Sequence, residues 1–209
     1  MDLSIMSDLF TQLRQAHRIC GSAYRRILPL TEVIPDVLNV EFNEWFPYSY
    51  DEAKKKKPVC HAYGEAFLPL YDSIHVYVRN PQKITVTPTS ASVVAVRFVM
   101  DTAGVCDIDD RVDNFNERAG EDLLDDPLES KSLVIFYIYR PAKKIRINDL
   151  LTDLFYIDED YPYPGENTHF DETGRIQIAN LVYDMSEWVN DSQRILNEVR
   201  AFIDSEVTE

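Results

Sequence analysis

The chain has 209 residues, of which 45% are hydrophobic and 27% charged, values of an ordinary soluble protein with enough length for one domain and a substantial core. Its 36 acidic and 21 basic side chains give a formal charge of -15, which disfavours nonspecific affinity for DNA, RNA or anionic lipid. Cys20, Cys60 and Cys106 are an odd number at spacings of 40 and 46, which fits neither a disulfide framework nor paired metal knuckles. Acids at Asp2 and Asp8 stand where a secretory leader needs basic residues, and the longest apolar run, Leu133 to Tyr139, is far short of a membrane span. The expectation is a cytoplasmic protein with free thiols.

The first predicted element is a helix over residues 4–28. Its apolar positions Met6, Leu9/Phe10, Leu13, Ala16, Cys20, Ala23/Tyr24 and Ile27 recur in steps of three and four, and Pro29 is read as the stop. Arg14, Arg18 and Arg25 gather on its opposite side as a basic stripe. Residues 31–58 read as a loop-rich connection, with prolines at 35, 47 and 58, an aromatic cluster from Phe42 to Tyr50 and the run Lys54 to Lys57. A β-meander follows. A strand is expected over His61 to Leu68, and Ile74, Val76 and Val78 alternate with polar neighbours, which predicts one wet face. Asn80-Pro81-Gln82 supplies a turn, and Ser92 to Met100 gives a longer strand. The run from Leu133 to Tyr139 is apolar on both faces and belongs in the sheet interior.

A short strand at Ile145 and Ile147 leads to Asn148, an N-cap for a short helix reaching Phe155; an acidic, proline-containing loop then runs from Tyr156 to Gly174. Residues 175–179 add one more strand. The chain closes on a helix over 180–206, with Leu181, Met185, Trp188, Ile195/Leu196, Val199 and Phe202/Ile203 on one stripe. Strands in the middle and helices at the ends indicate a single α+β domain over 1–209. It comprises an antiparallel sheet of about five to six strands over 61–147, an acidic insertion at 101–130, and amphipathic helices at 1–28 and 180–206.

Standard catalytic signatures are absent. No two of the six glycines lie closer than nine residues, which removes the dinucleotide turn, the Walker A loop and the nucleophile elbow. The histidines at 17, 61, 75 and 169 contain no pair at ligand spacing, so the only metal site left open is a dispersed one using Cys60 or His61 with His75 and a carboxylate. The segment Asp107 to Asp113 has acids at three calcium-loop positions, but Arg111, Val112 and Arg118 occupy places that need an oxygen, a glycine and a bidentate acid. The nuclease-like triplets Glu129-Ser130-Lys131 and Glu52-Ala53-Lys54 occur at about the frequency that this composition produces by chance. No cofactor, catalytic residue or metal ligand is therefore assigned.

Charge is segregated along the chain. Residues 1–100 carry 11 basic and 10 acidic side chains, whereas residues 101–209 carry 10 and 26. The expectation is a non-enzymatic interaction module whose acidic half binds a basic protein surface or a neighbouring subunit, as an inhibitor, immunity or counter-defence factor, or as a nucleic-acid mimic. The assigned partner-binding residues are Asp107, Asp109, Asp110, Asp113, Glu117, Glu121, Asp122, Asp125, Asp126, Asp158, Glu159, Asp160, Tyr161 and Tyr163. Neither nucleic acid nor membrane is an expected partner, and opposite charge on the two halves favours homo-oligomers. Two other readings stand beside it: a structural subunit of a larger assembly such as a virion or secretion apparatus, and a metal-dependent hydrolase with a dispersed site.

Overall fold

Seven-residue apolar strands rich in valine and isoleucine pair best when both faces are covered, and the centre of this molecule is built on that principle. The computed structural model describes residues 3–47, 72–80, 85–86, 93–100, 130–146, 151, 169–170, 174 and 176–205. In chain order the elements are α1 (Leu3–Thr31), α2 (Ile34–Leu38), β1 (Glu41–Pro47), β2 (Asp72–Val78), β3 (Thr85–Val86), β4 (Val93–Val99), β5 (Leu133–Pro141), β6 (Ile145–Arg146), β7 (His169–Phe170), β8 (Ile176–Asp184) and α3 (Met185–Asp204). Strands β1-β2-β4-β5-β8-β7 form one sheet in that order, antiparallel throughout, with β7 a two-residue edge; β3 and β6 form a separate two-stranded ribbon. This is an α+β fold with helices at both ends of the chain, as the sequence predicts.

Strand β5 lies between β4 and β8 with Val134 to Pro141 all buried, the interior position expected of it. One face of the sheet, carrying Tyr77, Val94, Val96, Phe98, Val134, Phe136 and Ile138, is covered by α2, α3 and the last turns of α1. Trp188, Ile195, Leu196, Val199 and Ile203 of α3 descend onto it, with the Trp188 ring edge-on to Phe136. The other face holds Ile74, Val76, Val78, Ala95, Ile135, Tyr139, Ile176 and Ile178, against which Ile145 and Leu151 pack.

Several sequence expectations are corrected. Pro29 lies inside α1, which continues to Thr31, where the threonine hydroxyl donates to the Leu28 carbonyl at 2.7 Å. Residues 34–47, read as loop, hold α2 and β1. Pro35 stands in the first turn of α2, where a missing N–H costs nothing, and Pro47 ends an edge strand. The wet face expected of β2 does not exist: every residue from Asp72 to Val78 is buried, because β1 pairs along it and helices cover its Tyr77 side. Strand β8 runs on through Leu181 to Asp184, so α3 begins at Met185 and not at 180. Strands β1 and β8 also carry the sheet beyond residues 61–147. The strand expected over 61–68 and all but Leu151 of the helix expected after Asn148 lie outside the described residues.

Candidate functional site

The two ends of the sheet carry different things. At one end lie Pro47, Asp72, Val99, Leu133 and Asp184; at the other lie Glu41, Val78, Val93, Pro141 and Ile176. The first acidic stretch, 101–129, attaches through Met100 and Ser130 at the former end, as does the segment holding Lys54 to Lys57, which attaches through Pro47 and Asp72. The second acidic stretch, around 149–168, is bounded by β6 and β7 at the opposite end. All fourteen assigned partner-binding residues, Asp107 to Asp126 and Asp158 to Tyr163, lie outside the described residues, as do Cys60 and His61. What the structure fixes is where their flanks meet the sheet.

At the first end a groove of about 560 Å³ opens between α1, the start of α3 and the β4–β5 end, with Ala23, Arg26, Met100, Lys131, Ser186 and Asn190 on its walls. Two bonds shape it: Ser132 Oγ donates to the Met100 carbonyl at 2.6 Å, and the Met185 amide donates to the Ser132 carbonyl at 2.8 Å. Together they hold the β4–β5 end and the start of α3 in register. Ser130 and Lys131 of the nuclease-like triplet belong to this wall. Among the described residues no group of three His, Cys, Asp or Glu side chains is placed to hold a metal ion.

From this groove α1 leads outward. Its C-terminal third is anchored, with Ile27 only 2% exposed and Ala23, Tyr24 and Leu30 packed on the core. Further toward the N-terminus the same apolar stripe leaves the body: Phe10 is 48% and Leu13 49% exposed. Arg14, Arg18 and Arg25 are exposed as the basic stripe predicts, with Arg14 donating to Thr11 Oγ1 at 2.9 Å.

Two polar constellations escape the sequence reading. On the second sheet face, Arg97 grips the fully buried Asp72 with two parallel bonds, Nε to Oδ1 at 2.7 Å and Nη2 to Oδ2 at 2.9 Å. Tyr137 stands beside the pair. Burial pushes its hydroxyl up from the usual phenol range, and Arg97 opposes that shift. Asn180 faces Tyr137 across the β5–β8 register, so a file of polar groups crosses the sheet diagonally. The bidentate carboxylate holds the guanidinium in one orientation, and burial favours the protonated phenol. The second is Arg140, buried at the end of β5. It donates to the carbonyls of Phe202, Ile203 and Ser205 and lies 5.1 Å from the Phe202 ring centre, closing the C-terminus of α3. A charge within or at the close of an otherwise apolar strand, as in Val93-Val94-Ala95-Val96-Arg97, was the available signal.

His75, the candidate ligand, sits on the helix-covered face between Trp45 and Phe98, 6.1 and 5.1 Å between ring centres. Its Nε2 has no hydrogen-bond partner among the described residues, and burial lowers its pKa to about 4, so the imidazole is neutral.

Among the described residues, a six-stranded antiparallel sheet covered on one face by α1, α2 and α3 defines an α+β protein, with acid-rich connections in sequence at both ends of the sheet. The chain belongs to the PM0109 family, whose model matches residues 4–205. No curated protein and no solved structure matches it.

Proposed function

We propose that the protein is a non-catalytic interaction module, working in the cytoplasm, whose acid-rich connections bind a basic surface on another protein. One observation carries the reading. The described frame holds 13 basic and 11 acidic side chains, whereas the remaining positions hold 8 basic and 25 acidic. Within the frame, charges are spent internally, as in Arg97 with Asp72, Arg79 with Asp204 at 3.0 Å, and Arg194 with Glu198 at 2.8 Å. The acidic excess therefore belongs to the connections, where acids alternate with Phe115, Leu123, Leu124, Tyr161 and Tyr163. Dense carboxylates steer a basic partner from a distance, and interleaved apolar side chains supply anchors once it arrives.

Capture of copurifying proteins from the native source tests this. Exchange of Asp107, Asp109, Asp110 and Asp113 for lysine is expected to abolish capture, and raising salt well beyond physiological strength to weaken it strongly. Capture indifferent to both would refute electrostatic docking. A second reading, a structural subunit of a larger assembly, draws on the exposed apolar stripe of α1.

A further inference from the structure

We propose that α1 is a self-association element, and that two copies of the chain pair through it antiparallel, centred on Leu13. This is independent of the acidic docking surface. It rests on where the helix leaves the body. Among the described residues contact with the core begins at Ala23, and residues 10–19 are all exposed, so α1 runs on for about 30 Å from Ser22 to Leu3 beyond that contact, at 1.5 Å per residue. Along it the stripe that is buried at Ile27 continues, among the described residues, as a face exposed at Phe10, Leu13, Ala16 and His17 and partly buried at Cys20, all within about 60° of Leu13 on the helical wheel.

Three features select a second copy as the occupant. First, the overhang from Leu3 to Ala23 has Leu13 at its midpoint. An antiparallel partner centred there covers the whole of it and brings its own N-terminus to the point where the other α1 meets the body. Neither sheet obstructs the other, because the bodies lie at opposite ends of the pair. Second, the same register sets Phe10 against Ala16 of the other copy, large against small, twice by symmetry. Third, Arg14, Arg18 and Arg25 lie about 100–140° from Leu13, outside the contact, so the like charges of two copies stay in solvent. Helices touching along about 30 Å bury on the order of 1,000 Å² in total, the lower end of a specific interface, which implies a reversible dimer.

Sedimentation velocity over about 1–200 µM, which spans reversible dimers of micromolar affinity, is expected to show the mass rising from the 24.2 kDa chain toward twice that value. Leu13→Glu should weaken association at least tenfold with an unchanged circular dichroism spectrum, since Leu13 is half exposed. Ile19→Glu, at an even more exposed apolar residue about 120° away, should leave association intact. Mild oxidation of a Leu13→Cys, Cys20→Ser variant should give a disulfide between the two residues at position 13, identified by peptide mass, while the wild type should form no Cys20–Cys20 link. A monomer throughout, a dimer indifferent to Leu13→Glu, or a Cys20–Cys20 link in its place would overturn the proposal. So would a monomer that binds anionic vesicles through the same stripe.

Discussion

His75 is a neutral imidazole in a ring-lined site with no counter-charge beside it among the described residues, and that makes its site sensitive to acid. Its ordinary pKa of 6.5 falls to about 4 in the folded chain, because burial penalises the cation. Between those values the unfolded chain holds a proton that the native one does not, so stability is lost as pH falls from 6.5 toward 4. Relative to His75→Phe, which keeps a ring between Trp45 and Phe98, the wild type should lose about 2–3 kcal/mol between pH 7 and pH 4.5. Urea denaturation of both proteins at the two pH values measures this; parallel losses would mean that the imidazole takes no part. Arg140 shows the opposite economy, a buried cation that is stable because it meets several carbonyls at once. Arg140→Met keeps the apolar stem and removes the bonds, so it should cost about 1–3 kcal/mol. Faster amide exchange should follow in the last turn of α3 and spare its first turn. Arg140→Lys should recover only part of the loss, since an ammonium cannot spread across carbonyls as a guanidinium does.

At the scale of elements, the legible parts were those where one period dominates. Trp188, Ile195/Leu196, Val199 and Ile203 follow 3.6-residue spacing and form the buried stripe of α3, even though the backbone departs from helical geometry at Asp191. Leu133 to Tyr139 could only be a central strand. Failures came where two rules coincide on the same residues. Leu181 suits a helix stripe as well as a strand, and pairing with Phe136 decided for β8. His75 and Tyr77 look like a wet face, but burial of that face depends on α2 and α3, which no local pattern reports. Strand β1 was hidden by its closing Pro47 and by a bulge between Phe42 and Glu44; the irregular register sets both Phe42 and Trp45 over the helix-side residues Tyr77 and His75. The candidate site was less legible than the fold. The sequence places the acids but not their points of attachment, and an amphipathic helix reads the same whether its stripe is buried along its length or, as in α1, only at one end.

The whole molecule divides into a frame close to neutral and connections that carry the negative charge. Its main sheet is built largely from sequential antiparallel neighbours, and β4 and β5 stay paired from Val99–Leu133 to Val93–Tyr139 although 33 residues separate Val99 from Leu133. No helix among the described residues is long and apolar enough to cross a membrane.

That pairing bears on how freely the connection can change. Closing a chain of 29 residues in place of four costs only about 2 kcal/mol in entropy, because the penalty grows with the logarithm of length. The bond from Ser132 Oγ to the Met100 carbonyl and the ladder from Val99 onward do not involve residues 101–129. Replacing residues 101–129 with a four-residue turn should therefore leave the melting temperature unchanged or slightly raised, and a melting temperature lowered by more than a few degrees would show that the segment packs as part of the core. A hairpin that passed this test would let the proposed recognition segment diverge while the sheet stays constant. The acidic stretch could then be lengthened, recharged or exchanged for another without the fold having to be reinvented.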